Sequence, residues 1–256
     1  MGQRALDIGH LAIVGLGPGG PGLLTPDAAA ALATATDVLG YGPYLARVPE
    51  RAGQTRHASD NGDEIARARV ACALAERGAR AALVSGGDAG VFGMASAAFE
   101  AIAAGPASWR GLEVTVVPGV SAMLAAAARL GAPLGHDFCA ISLSDNLKPW
   151  ETVLSRLRAA AGAGFVIALY NAVSRARPWQ LGAAFEVLRG VLPGATPVAF
   201  ATAVTRPDEA VRIATLATAD AAGADMRTLV LIGSAQTRTV ARADGGCWLY
   251  TPRSAA

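Results

Sequence analysis

Short runs rich in β-branched residues alternate along this chain with longer, alanine-rich segments of helical character, the pattern that parallel strands joined by helical crossovers require. The fold class is therefore α/β. In the first half the strand candidates are residues 11–15, 38–41, 81–85 and 113–117, and their apolar character suits strands covered on both faces. Asn61 reads as a helix N-cap with Glu64 three residues on, and Gly78 as the stop, so residues 65–77 are expected to be helical. After Pro118-Gly119 a second series opens: a helix from residue 120, a strand at 138–143, a helix from 150, a strand at 165–169, a helix from 179 and a strand at 198–203. A domain boundary is expected there, giving units 1–118 and 119–256. Residues 210–216 and 228–232 are separated by too little chain for most crossover helices, so the second sheet is expected to be mixed and the first mainly parallel.

Several function classes fall away on composition. With 22 basic and 20 acidic side chains, the chain offers no broad basic surface for nucleic acid or anionic lipid; an anionic substrate must be met by local arginines. Cys72, Cys139 and Cys247 are far apart, as are His10, His57 and His136, so neither a disulfide framework nor a metal site is expected. No export or membrane-spanning segment stands out, and the expected location is cytoplasmic.

The strand at 11–15 runs directly into Gly15-Leu16-Gly17-Pro18-Gly19-Gly20-Pro21-Gly22-Leu23-Leu24-Thr25, where missing side chains let backbone approach a ligand. Gly15, Gly17 and Gly20 satisfy G-x-G-x-x-G, with Asp37 further on, so an NAD(P)-dependent oxidoreductase is one reading. Pro18 and Pro21 interrupt that turn, and the helix signal Thr25-Pro26-Asp27 comes later than a pyrophosphate site needs. The loop after the strand at 81–85 holds one acid, Asp88, among four glycines. That combination suits a neutral or cationic polar ligand, because a carboxylate repels phosphate at close range.

These two loops, with Pro118-Gly119-Val120-Ser121-Ala122, Leu169-Tyr170-Asn171-Ala172-Val173-Ser174-Arg175 and Ala203-Val204-Thr205-Arg206-Pro207-Asp208-Glu209, occur in an order that resembles the tetrapyrrole methylases over nearly the whole chain. The resemblance implies a homodimer of two-domain α/β subunits, with S-adenosylmethionine in a cleft between the domains and a tetrapyrrole in an adjoining trough. It implies cofactor contacts from Pro18, Gly87, Asp88, Ala89, Val91, Ser121, Ala122, Tyr170, Asn171, Ala203, Val204 and Thr228. Residues 142–151 and the Y-N-x-x-S-x-x-R stretch opening at Tyr170 are most similar to members that methylate precorrin-3B at carbon 17. The implied reaction includes ring contraction to precorrin-4, in cobalamin biosynthesis, and releases S-adenosylhomocysteine. Ala89 and Ala172 stand where many relatives carry proline, a change in loop stiffness.

Methyl transfer from a sulfonium needs alignment and exclusion of water more than a nucleophilic side chain, in keeping with the lack of a recognisable Ser-His-Asp arrangement. Ring contraction needs proton movement. Asp145 and Lys148 lead as candidates because they follow a strand, where α/β sites gather; Asp60 and His57 are further ones. Arg47, Arg56, Asn146, Lys148 and Arg175 are the candidates for the substrate's carboxylates, and no tryptophan is assigned to the site. Two other readings stay open: another corrin-ring methylase, including one acting on a cobalt-containing intermediate, and a non-catalytic protein of methylase fold.

Overall fold

The computed structural model describes residues 9–174 and 176–254, which form two compact units dividing between Ser121 and Ala122. In the first, β1 (His10–Gly15), β2 (Asp37–Tyr41), β3 (Thr55–Ser59), β4 (Arg80–Ser85) and β5 (Glu113–Val117) form a sheet in the order β3-β2-β4-β1-β5. Every pairing in it is parallel. The two-residue period of a strand sorts its side chains between two layers. Leu11, Ile13, Leu39 and Leu83 pack with Ala68, Ala71, Cys72 and Ala75 of α3 (Glu64–Glu76) and with Ala95, Ala98 and Ala101 of α4 (Met94–Ala104). Ala12, Val14, Val38, Ala82 and Val84 face the opposite way, onto Ala28 and Leu32 of α1 (Pro26–Thr34) and Leu45 of α2 (Gly42–Leu45).

The capping expectation for α3 needs adjustment. Its N-cap is Asp63, not Asn61, and Glu64 Oε1 accepts the Gly62 N–H at 3.2 Å. Gly78, at φ +91°, ends the helical segment as expected, its N–H donating to Ala75 O at 2.9 Å. β3 was not legible: Thr55-Arg56-His57-Ala58-Ser59 lies at the edge of the sheet and carries no apolar run.

The second unit holds α5 (Ala122–Leu130), β6 (Gly131–Ala132), β7 (Phe138–Ser142), α6 (Trp150–Gly162), β8 (Val166–Tyr170), α7 (Gln180–Arg189), β9 (Pro197–Thr202), β10 (Ala210–Thr215), β11 (Thr228–Ile232), β12 (Arg238–Ala241) and β13 (Cys247–Tyr250). Its main sheet runs β10-β9-β11-β8-β7 and is mixed as expected: β7 and β8 are parallel, and the other pairs are antiparallel. Leu157 of α6 and Phe185 and Leu188 of α7 close over Ile167, Leu169, Val198, Phe200 and Val230. A small third sheet, β12-β13-β6, completes the unit. Among the described residues no helix is long and apolar enough to cross a membrane.

Candidate active site

In the first unit the loops that carry the candidate residues leave the carboxyl ends of β1, β4 and β5. Because β1 and β4 are neighbours, the loops that follow them start side by side, and their backbones continue the pairing. Leu16 N donates to Ser85 O at 2.9 Å, and Gly17 and Gly87 exchange N–H···O bonds of 3.0 and 2.9 Å. Gly17 and Gly87 hold left-handed φ values of +68° and +67°, which glycine adopts without strain. The loop after β5 joins them: a Cβ on Gly119 would lie 2.3 Å from Gly87 O, and one on Gly15 would lie 2.7 Å from Gly119 N. Three backbones thus meet where only glycines fit.

Asp88, expected beside a ligand, fastens this junction. Its Oδ1 accepts the Gly90 N–H at 2.8 Å and its Oδ2 the Gly119 N–H at 3.0 Å. Ala89 is fully buried, and its carbonyl accepts from Ala95 N at 3.0 Å; Pro18 and Val91 are half-buried on the same two loops. Phe92, beside Val91, has φ +51°. Arg47 braces the first loop through Nη2 bonds to Leu16 O (2.8 Å) and Gly17 O (2.7 Å). Arg56 donates to Leu45 O at 3.0 Å and to Val48 O, and pairs with Glu50 at 3.3 Å. Both arginines therefore bind backbone carbonyls within their own unit.

A dinucleotide site is not built here. A short 3-10 turn, Pro21–Leu23, follows the glycines, and α1 starts only at Pro26, capped by Thr25 Oγ1 accepting the Ala28 N–H at 3.2 Å. No helix N-terminus stands behind the loop to meet a pyrophosphate. Asp37 opens β2, at the amino end of the sheet, and its carboxylate accepts from Thr36 Oγ1 and pairs with His57 Nε2, each at 2.8 Å. His57 is thereby held away from the glycine loops. Asp60 is exposed, its carbonyl accepting from the buried Arg67 at 2.6 Å.

In the second unit the carboxyl ends of β7, β8 and β9 and the amino end of β11 share one edge, since Ser142 pairs with Tyr170 and Thr228 with Thr202. Tyr170 Oη accepts the Met123 N–H at 3.1 Å, which brings the first turn of α5, with Ala122, to the same edge; Ser121 immediately precedes it and is buried. Asn171 (φ +52°) follows β8 and Ala203 (φ +48°) follows β9, and Asn171 Nδ2 donates to Ser142 Oγ at 2.9 Å. Non-glycine residues held in this region concentrate at functional sites. Thr228 is buried, with its hydroxyl 2.8 Å from that of Thr202; Val204 is likewise buried.

Asp145, in the loop after β7, pairs with Arg177, in the loop after β8, at 2.6 Å. Lys148 Nζ donates to Ser144 O at 2.8 Å. Burial pulls the Lys148 pKa down from its ordinary value; Arg156 adds to the shift and Asp145 opposes it. Asn146 is exposed, and Arg175 lies outside the described residues. Ser174 Oγ and Gln180 Nε2, in the same region, are buried without a hydrogen-bond partner among the described residues; Ser174 is the serine of the Y-N-x-x-S-x-x-R stretch, and nothing in the sequence singled out Gln180. The sequence pointed to Arg175 as the arginine of this stretch and missed Arg177, on which Y-N-x-x-S-x-x-R counted from Tyr170 ends. Among the described residues no three His, Cys, Asp or Glu side chains are placed to share a metal ion.

Residues 10–220 match the family model of the Tetrapyrrole (Corrin/Porphyrin) Methylases, and the chain belongs to that family. It is 58% identical over 245 residues to a precorrin-3B C(17)-methyltransferase from a Sinorhizobium species, covering 96% of each chain. The crystal structure of the methyltransferase CobJ superposes with a TM-score of 0.91 at 50% identity, over 95% of this chain and 100% of that one. A uroporphyrin-III C-methyltransferase from Thermus thermophilus, solved with S-adenosylhomocysteine, aligns with a TM-score of 0.64 at 26% identity, over 88% of this chain and 97% of that one.

Proposed function

We propose that this protein methylates precorrin-3B at carbon 17 from S-adenosylmethionine, with ring contraction to precorrin-4, in cobalamin biosynthesis. The observation that carries this reading is the 58% identity to a precorrin-3B C(17)-methyltransferase across 96% of both chains. It is joined by the placement of the family's motif residues on the loops at the strand ends of each unit. The proposal includes a homodimer in the cytoplasm that needs no metal, nucleic acid or membrane.

The residues present suit S-adenosylmethionine. It has no phosphate, and the glycine loops lack the helix terminus that a phosphate would use; what they offer is backbone brought close by Gly15, Gly87 and Gly119. Pro18, Gly87, Asp88, Ala89, Val91, Ser121, Ala122, Tyr170, Asn171, Ala203, Val204 and Thr228 are proposed to hold it. Asp88 serves by fixing the loops. When bound, the cofactor supplies an electrophilic methyl group and is released as S-adenosylhomocysteine.

The chain's own residues orient the macrocycle and move protons. Asp145, fixed by Arg177 at 2.6 Å, and Lys148, whose lowered pKa brings its ammonium nearer to releasing a proton, are proposed for the proton transfers of ring contraction. Asn146 and Arg175 are proposed for the substrate's polar groups, and Arg47 and Arg56 act through the loops they brace. Calorimetric titration with S-adenosylhomocysteine, with NAD(H) and NADP(H) as controls, tests the cofactor reading, and conversion of precorrin-3B followed by mass tests the reaction. Uptake of nicotinamide nucleotide alone would overturn both. Asp145→Asn is expected to keep S-adenosylhomocysteine affinity within about threefold and to lower precorrin-4 formation by about 100-fold or more; normal turnover would remove Asp145 from the mechanism.

A further inference from the structure

The segment leaving β9 is held in a conformation its residues disfavour. Ala203 has φ +48° and Thr205 φ +70°, a region in which a side chain crowds the backbone and a β-branched one does so most. Ala203 N donates to Arg227 O at 3.1 Å and Arg206 N to Ala203 O at 2.9 Å. The Thr205 N–H, by contrast, is taken by a side chain: Glu209 Oε2 accepts it at 2.5 Å. Both oxygens of that carboxylate also accept from Arg129 Nε, at 2.8 and 3.1 Å, and only 24% of the Glu209 side chain is exposed. Arg129 lies in the last turn of α5, whose first turn bonds to Tyr170.

We propose that Glu209 is a positioning residue for the methyl donor: its carboxylate, anchored by Arg129, holds the strained backbone of residues 203–205 in the form that meets the cofactor. The inference rests on the reading that Ala203 and Val204 contact S-adenosylmethionine. A side chain that captures the Thr205 N–H offsets part of what the left-handed backbone costs, and Arg129 of α5 fixes where that side chain sits. Glu209 thus connects the loop after β9 to the helix that begins at the Ser121-Ala122 motif.

The test is calorimetric titration of the full-length protein with S-adenosylhomocysteine. Glu209→Ala should weaken binding about tenfold, equivalent to about 1.4 kcal/mol. Glu209→Gln keeps an acceptor for the Thr205 N–H and should stay within about threefold. The double variant Thr205→Gly/Glu209→Ala should regain most of the loss, because glycine adopts the left-handed region without strain. Unchanged affinity in Glu209→Ala overturns the inference, and so does a loss that the double variant fails to restore. If Glu209→Ala does not fold, the double variant decides: folded and binding within about threefold of wild type supports the inference, and failure to fold or bind overturns it. A wild-type protein that takes up no S-adenosylhomocysteine removes the cofactor reading itself, before any variant is compared.

Discussion

Gly119 and Gly162 are the same residue type under opposite demands. A Cβ on Gly119 would stand 2.3 Å from Gly87 O and 2.8 Å from Gly15 C, with no flexible side chain to give way, whereas one on Gly162, at the end of α6, would meet nothing within 4 Å. Gly119→Ala should therefore destabilise by about 1–3 kcal/mol through overpacking. Gly162→Ala should stabilise by about 0.4–1 kcal/mol by restricting the unfolded chain. Urea unfolding reads both as shifts of midpoint at constant slope, and a neutral Gly119→Ala would mean that the three backbones do not meet as described. The sequence placed Gly15, Gly87 and Gly119 in motifs, and of the three the family resemblance implied a cofactor contact for Gly87 alone. It did not reveal that Asp88 would be consumed in joining them, since a carboxylate's partners are backbone groups that every residue carries.

At the scale of elements, α3 is a helix whose burial sets a pH dependence. Cys72 is fully buried and packs in the layer with Ala68, Ala71 and Ala75; burial chiefly raises its pKa from 9.0 to about 11, with nearby Glu76 adding to the rise and a backbone hydrogen bond opposing it. Above pH 9 the unfolded chain releases this proton while the folded one keeps it, so stability is fully present below pH 9 and falls toward pH 11. The loss attributable to this group is about 2–3 kcal/mol. Subtracting the pH profile of Cys72→Ala from that of the wild type should isolate it, and parallel profiles would remove the thiol as the cause. The strands β1, β4 and β8 were legible because their residues are apolar in succession. β12 was not: all four of its residues are exposed, and an edge strand without a buried face leaves no period to read.

For the whole molecule, local pattern yields an α/β chain with one parallel and one mixed sheet, but the order of strands depends on pairings between distant residues. His10 lies opposite both Arg80 and Glu113, contacts that no window of sequence contains. Family motifs supply what periodicity cannot, because they single out strand ends as candidates for a site, whatever their order. The cofactor reading has a consequence for the intact protein that needs neither substrate nor variant. A ligand that binds only the folded chain, at a free concentration about 100-fold above its Kd, stabilises by about 2.7 kcal/mol. For a chain of this length each kcal/mol raises Tm by about 2–4 °C. S-adenosylhomocysteine should therefore raise the melting temperature by about 5–10 °C. NADH at the same concentration should leave it unchanged, because the loop after β1 has no helix terminus behind it and Asp37 is held by His57 at the other end of the sheet. A shift with NADH and none with S-adenosylhomocysteine would mean that the glycine loops serve a nucleotide after all.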